Sequence, residues 1–205
     1  MNVRRKSVHG VGVNDADYTV AYKLAGRIVR CPIYNTWAGM LLRCYSSKWL
    51  ARAPSYSGCA VTDDWLRFSQ FRLWMLEQDW EGKSLDKDIL IEGNKVYSPD
   101  ACVFVDQEVN KLLTDSASAR GYYPLGVDFI KRSSRYRARI GTPNGSLCLG
   151  YYGDPYNAHF AWQQAKLTRI VEVAERQEPR VKEALLRRAE VLRRDMRDGT
   201  ETTKL

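Results

Sequence analysis

The sequence predicts an α+β protein: a helical N-terminal region with short strands, then a three-stranded antiparallel sheet packed on one helix, then a C-terminal amphipathic helix. Three observations predict it. Apolar residues recur at helical spacing between Tyr34 and Met75. Three strand-like runs follow one another between residues 121 and 152 with turn residues between them. Two later stretches each open on an acidic residue followed by proline, Asp154-Pro155 and Glu178-Pro179, as helix starts do.

Taken in order, residues 1–33 read as a loose N-terminal arm, with Gly10, Gly12 and Gly26 and an alternating YTVAYKL stretch that suits a short strand. Trp37, Met40, Leu41 and Cys44 then mark one face of a helix, and the polar connector Ala53–Cys59 ends it. A second helix is expected from Thr62 or Asp63 as N-cap, with Trp65, Phe68, Phe71, Leu73, Trp74 and Met75 along it. Aromatic residues at this spacing read as core rather than as a base-stacking surface. The runs LDKDILI and ACVFV predict two strands around a turn at GNKVYSPD, followed by a short helix over 106–113. The Ser-rich segment 114–120 reads as a linker, which separates a domain over 34–113 from one over 121–177.

In the second domain the strands are YYPLGVDFI, RYRARIG and SLCLGYY, and Asn144-Gly145 signals the second hairpin. Period-2 alternation puts Arg135, Arg137 and Arg139 on one face and Tyr136 and Ala138 on the other. Ala158, Ala161, Trp162 and Ala165 give the following helix a face of small residues that can lie close to the sheet, and His159 on it reads as structural. The last helix, 178–198, carries a stripe of Val181, Leu185, Leu192 and Met196 that either docks on the body or pairs two copies as a homodimer. Residues 199–205 are expected to be a disordered tail.

The net charge is +8, from 32 Lys and Arg against 24 Asp and Glu, and it is unevenly distributed. Acidic residues dominate between Asp63 and Asn110. From Arg120 to Ile170 the balance reverses, with Arg120, Lys131, Arg132, Arg135, Arg137, Arg139, Lys166 and Arg169 against Asp128 and Asp154. That composition suits phosphate contacts. The 5 cysteines show no zinc-module spacing and read as reduced thiols. No apolar stretch reaches membrane-spanning length, and no hydrophobic signal core follows MNVRRK, so a soluble protein with no membrane partner is expected.

The run Tyr123–Ala165 resembles the Apetala/ethylene-response-factor DNA-binding domain: a Gly-Val strand, a strand ending in aromatic-x-Ala-x-Ile, a strand ending in Leu-Gly-x-Tyr and an Ala-rich helix, in that order. The resemblance implies that the sheet enters the major groove of double-stranded DNA, with Lys131, Arg132, Arg135, Arg137 and Arg139 as its contacts. The segment Leu85–Asn110 is similar to the ββα core of HNH nucleases at Asp86, Gly93, Asn94, Ser98, Pro99, Val105 and Asn110. With Tyr34–Trp74 it resembles phage-encoded proteins of the homing-endonuclease type, which act in the cytoplasm of a host bacterium. This second resemblance implies Asp86, Asp88 and Asn94 as catalytic residues, with Mg²⁺ held by Asp86 and Asp88.

In that family a histidine deprotonates the attacking water, and here Lys87 stands at its position. A lysine near its ordinary pKa of about 10.4 is protonated at neutral pH and cannot take that proton. Two functions stand open at this point. One is a magnesium-dependent DNA endonuclease. The other is a non-catalytic phage protein that binds DNA or a host protein, either to regulate transcription or to inhibit a host defence complex.

Overall fold

The computed structural model describes residues 7–113 and 122–205, and the protein is a mixed helix-and-sheet, α+β, molecule. The chain start Met1–Lys6 and the linker expected at 114–120 lie outside the described residues. Two compact units divide between Val105 and Asp106. Among the described residues no helix is long and apolar enough to cross a membrane.

The first unit is built on helix α1 (Pro32–Tyr45), whose Trp37, Met40 and Leu41 are fully buried. The arm before it is not loose from residue 7 onward. Strands β1 (Ala21–Leu24) and β2 (Arg27–Arg30) form an exposed antiparallel hairpin, turning at Ala25 and Gly26, both at positive φ. A four-residue helix α2 (Ser47–Leu50) and a 3₁₀ turn at Pro54–Tyr56 lead to the two-residue strand β3 (Ala60–Val61).

The second helix departs from the single element expected. A 3₁₀ turn (Asp63–Leu66) and helix α3 (Phe68–Leu76) are separated by Arg67, which is extended. Val13 of the arm bridges there: its N–H donates to Leu66 O and its carbonyl accepts from Phe68 N–H. The break therefore exchanges intrahelical bonds for bonds to the Val13 backbone, more than fifty residues earlier, which local periodicity cannot reveal. Asp15 then holds the start of α3, accepting from Ser69 N–H at 2.8 Å and Ser69 Oγ at 2.7 Å. Trp65, Phe68, Phe71 and Met75 are core, as their spacing predicted, whereas Leu73 is exposed.

The two expected strands are shorter and differently paired. β4 (Ser84–Asp86) pairs antiparallel with β6 (Val103–Val105), while β5 (Val96–Tyr97), inside the segment read as a turn, pairs parallel with β3. Residues 87–91 are not strand. Asp86 Oδ1 accepts from the backbone N–H of Asp88 and of Ile89, and this side-chain turn bends the chain out of the ladder.

The second unit opens with helix α4 (Gln107–Leu112), which the sequence reading had grouped with the preceding domain. Strands β7 (Val127–Ile130), β8 (Arg135–Thr142) and β9 (Gly145–Tyr152) form one antiparallel sheet in the order 7-8-9. The β8–β9 turn closes through Pro143-Asn144, because Gly145, at φ +121°, already pairs with Thr142. Asn144-Gly145 therefore marks the hairpin without being its two central residues. Helix α5 (Pro155–Ala174) is capped by Asp154, which accepts from the N–H groups of Tyr156 and Asn157. Its Ala158 packs with Val127 and Ala138 on one face of the sheet.

Helix α6 (Pro179–Arg197) buries Val181, Leu185 and Leu192 within the unit. The stripe that could have paired two copies is thus used internally. The expectation of a disordered tail after Asp198 is corrected as well. Thr202 is fully buried: its N–H donates to His159 Nε2 at 3.0 Å, and its hydroxyl donates to Asp195 Oδ2 and accepts from Gln163 Nε2. His159 Nδ1 donates in turn to Leu125 O at 2.9 Å. Its two nitrogens are committed to a structural relay between the sheet entry and the tail, in keeping with the structural reading.

Candidate nucleic-acid interface

With α5 covering one face of the β7–β9 sheet, the opposite face carries the arginines. Asp128 on β7 lies across from Arg137 on β8. It accepts from Arg137 Nη2 at 2.7 Å and Nε at 3.3 Å, and its Oδ1 also meets Arg139 Nε at 3.0 Å. One carboxylate therefore orients two guanidiniums, side by side, and leaves the trio with one net positive charge. The hydrogen bond to Asp128, more than the opposing effect of desolvation, raises the pKa of Arg137, so this cation is permanent.

A bulge between Ala138 and Arg139 sharpens the local geometry. Ala138 pairs with Gly150 but Arg139 pairs with Cys148, so Leu149 is the extra residue on β9. Arg139 N–H donates instead to Gly126 O at 2.8 Å. Arg135 is exposed at the start of β8, and Lys131 and Arg132 are exposed in the four-residue turn before it. Tyr151 sits opposite Arg137 and Cys148 opposite Arg139, both exposed. Arg135, Arg137 and Arg139 thus share one face of a small sheet, the latter two braced, and Lys131 and Arg132 stand exposed in the turn that leads into it.

Two basic residues that the charge count had included do not belong to this face. Lys166 is buried, its ammonium donating to Leu112 O and lying 5.7 Å from the Trp162 ring centroid. Arg169 is paired with Glu108 on α4 at 2.6 Å. Both serve the packing of α5 against α4. The residue that sequence reasoning missed is Asp128, counted there only as a charge. Its cross-strand position opposite Arg137 was the available signal.

The residues expected to be catalytic from the nuclease resemblance, Asp86, Asp88 and Asn94, gather at the β4 turn in the first unit. Asp86 is consumed by the turn described above. Lys87 is buried, and its ammonium donates to Asp88 Oδ2 at 2.8 Å and to Asn94 O at 2.9 Å. Asn94 closes the loop with its whole amide: Nδ2 donates to Lys87 O and Val96 O, and Oδ1 accepts from Val96 N–H. Burial alone would drive the Lys87 pKa down, but the hydrogen bond and charge of Asp88 more than offset it and leave the pKa raised. Burial likewise works against ionised Asp88, yet the Lys87 bond holds its pKa below the usual carboxylate value. Asp86 goes the other way, raised by burial and then by the charge of Asp88.

This arrangement does not fit a Mg²⁺ ion. A cation between Asp86 and Asp88 would meet the ammonium already bound to Asp88, and both ends of the Asn94 amide already hold the loop backbone. Lys87, protonated and paired, is no general base at neutral pH.

The signs of these shifts give a pH test. Asp88, depressed, contributes stability above its unfolded pKa that is lost as pH falls through the folded value; Lys87, raised, contributes stability that is lost only as pH rises through its own folded value. Ionised Asp86 opposes folding at neutral pH, since its folded pKa is raised. Asp86→Asn keeps the Oδ1 acceptor and removes the charge, so thermal melting at pH 7 is expected to rise, and the gain should shrink as pH falls through the raised Asp86 pKa. A lower melting temperature at pH 7 would contradict the assignment.

No protein-family model matches the chain, and neither a curated protein nor a solved structure is significantly similar to it.

Proposed function

We propose that this protein binds double-stranded DNA through the exposed face of β7–β9 and does not cut it, acting as a phage-type DNA-binding factor in the cytoplasm of a host bacterium. The observation that carries the reading is the Asp128-braced pair Arg137 and Arg139 on the face opposite the packing helix, with Arg135 beside them and Lys131 and Arg132 exposed in the preceding turn. Arginine forks held in a fixed plane are suited to bidentate contacts with phosphate oxygens or the guanine edge. The first unit, with its lysine-occupied carboxylate turn, serves as a scaffold and not as a nuclease.

Cys148 offers a direct probe. It is exposed and pairs with Arg139 on β9, whereas Cys44, Cys59 and Cys102 are buried. Burial, with a smaller effect from Cys59, pushes the Cys44 thiol up to about 11, and burial pushes Cys102 to about 12, so neither competes for an alkylating reagent at neutral pH. A 20-base-pair duplex added to the full chain is expected to slow maleimide labelling of Cys148, read by peptide mass spectrometry. The same duplex, incubated with protein and Mg²⁺, should stay intact. Labelling of Cys148 at an unchanged rate with DNA bound would move the interface off this face, and strand scission would restore the endonuclease reading.

A further inference from the structure

A second basic surface lies wholly within the first unit. Between α1, the end of β2 and the start of β4 runs an open cleft of about 550 Å³. Arg30 and Arg43 line it together with the polar Asn35 and Ser84 and the apolar Leu42 and Leu85.

Arg43 is prepared in an unusual way. Its Nε donates to Tyr97 Oη at 3.1 Å, and its guanidinium carbon lies 5.6 Å from the Tyr97 ring centroid and 5.9 Å from that of Tyr56. Two tyrosines, Tyr97 by ring and hydroxyl and Tyr56 by ring, thus hold the group while its Nη1 lies nearest Gly39. Among the described residues no carboxylate lies within ion-pairing distance of Arg43 or Arg30. Lys83 at the rim differs, being paired with Asp79. A half-buried guanidinium held by aromatic rings, with no carboxylate beside it among the described residues, is suited to receive an anion.

Gly39 adds a second, independent observation. It sits in the interior of α1, where glycine is less favourable than alanine by about 1 kcal/mol. Its φ is not positive, and a Cβ there would meet only Arg43 Nη1, at 4.0 Å. Neither the backbone nor neighbouring packing requires glycine. What its missing side chain does is leave space in the cleft beside the Arg43 guanidinium.

The geometry points to a nucleotide-binding cleft: a phosphate on Arg43 and Arg30, with the flat base against Leu42 and Leu85. The volume fits one nucleotide unit, either free or as one residue of a single strand. Asn35 and Ser84 on the walls supply polar contacts for sugar or base. This site is separate from the β7–β9 face and does not depend on it.

The test uses the full chain carrying Arg135→Ala, Arg137→Ala and Arg139→Ala, which weakens binding by the sheet, and compares the cleft variants within that background. Isothermal titration at low salt would use inorganic phosphate, the 5′-mononucleotides and a ten-residue oligothymidylate as probes. Gly39→Leu fills the space beside Arg43 with a better helix former, and Arg30→Glu reverses an exposed charge, so neither should lower the melting temperature. Each is expected to weaken binding about tenfold or more, the scale of one charge-assisted contact. Loss of mononucleotide binding in both variants supports a free-nucleotide site. Loss confined to the oligothymidylate supports a strand-binding site. Absence of binding by every probe, binding of inorganic phosphate alone, or affinities unchanged by both substitutions would overturn the proposal.

Discussion

Gly126→Ala is expected to destabilise the second unit by roughly 3 kcal/mol or more, the sum of overpacking a closed site and straining a left-handed backbone position. Gly126 has φ +76°, and a Cβ there would overlap Cδ1 and Cγ of the Trp162 indole. The indole cannot retreat, because the His159 ring stacks on it at 5.3 Å and His159 is itself tied to Leu125 and Thr202. Gly126 O also accepts the Arg139 N–H that anchors the bulge. One added methyl group therefore strains the strand entry, the helix and the tail together. Against a total stability of about 5–15 kcal/mol for a domain, this is a large fraction. Hydrogen exchange of peptides across residues 155–197 should show protection falling in the variant while the first unit keeps its own. Unchanged protection of α5 and α6 would show that the Trp162 contact can relax.

The second unit was the more legible half of the sequence, and the reason is physical. Its strands follow one another with short turns, its helices start at Asp154-Pro155 and Glu178-Pro179, and period-2 alternation correctly separates Ala138 from Arg137 and Arg139. Those signals are local. What the sequence hid was set by distant partners: the break at Arg67 by Val13, the burial of Lys166 by Leu112, the order of the tail by His159.

The candidate sites divide along the same line. The arginine face was visible as a pattern, whereas its bracing by Asp128 needed the register of β7 against β8. The HNH-like turn shows the converse. Its residue pattern was readable, but the pattern could not show that Lys87 places its ammonium on Asp88 or that Asn94 spends its amide on the backbone. In the first unit the cleft had no sequence signal beyond a glycine inside a helix.

Substitution of the braced arginines is the second large effect expected. Arg137 and Arg139 are half-exposed, with 32% and 49% of their side-chain surface accessible, so solvent screening limits what their bonds to Asp128 add to stability. Their removal should therefore spare the fold and fall on binding. Arg137→Ala with Arg139→Ala removes two cations and also unmasks the Asp128 carboxylate, turning a trio of charge +1 into a lone anion facing phosphate. Each arginine that reads a base edge is worth about 1–3 kcal/mol of affinity, and each that meets only phosphate lowers the salt slope by about one unit.

The most direct measurement is fluorescence anisotropy of a labelled duplex with the full chain, titrated at several salt concentrations for the parent and for the Arg137→Ala, Arg139→Ala double variant. The parent is expected to bind with an affinity that falls steeply with salt, and the double variant to bind more weakly with a shallower slope by about two units. Equal affinity and equal slope in the two proteins would show that the β7–β9 face does not hold DNA.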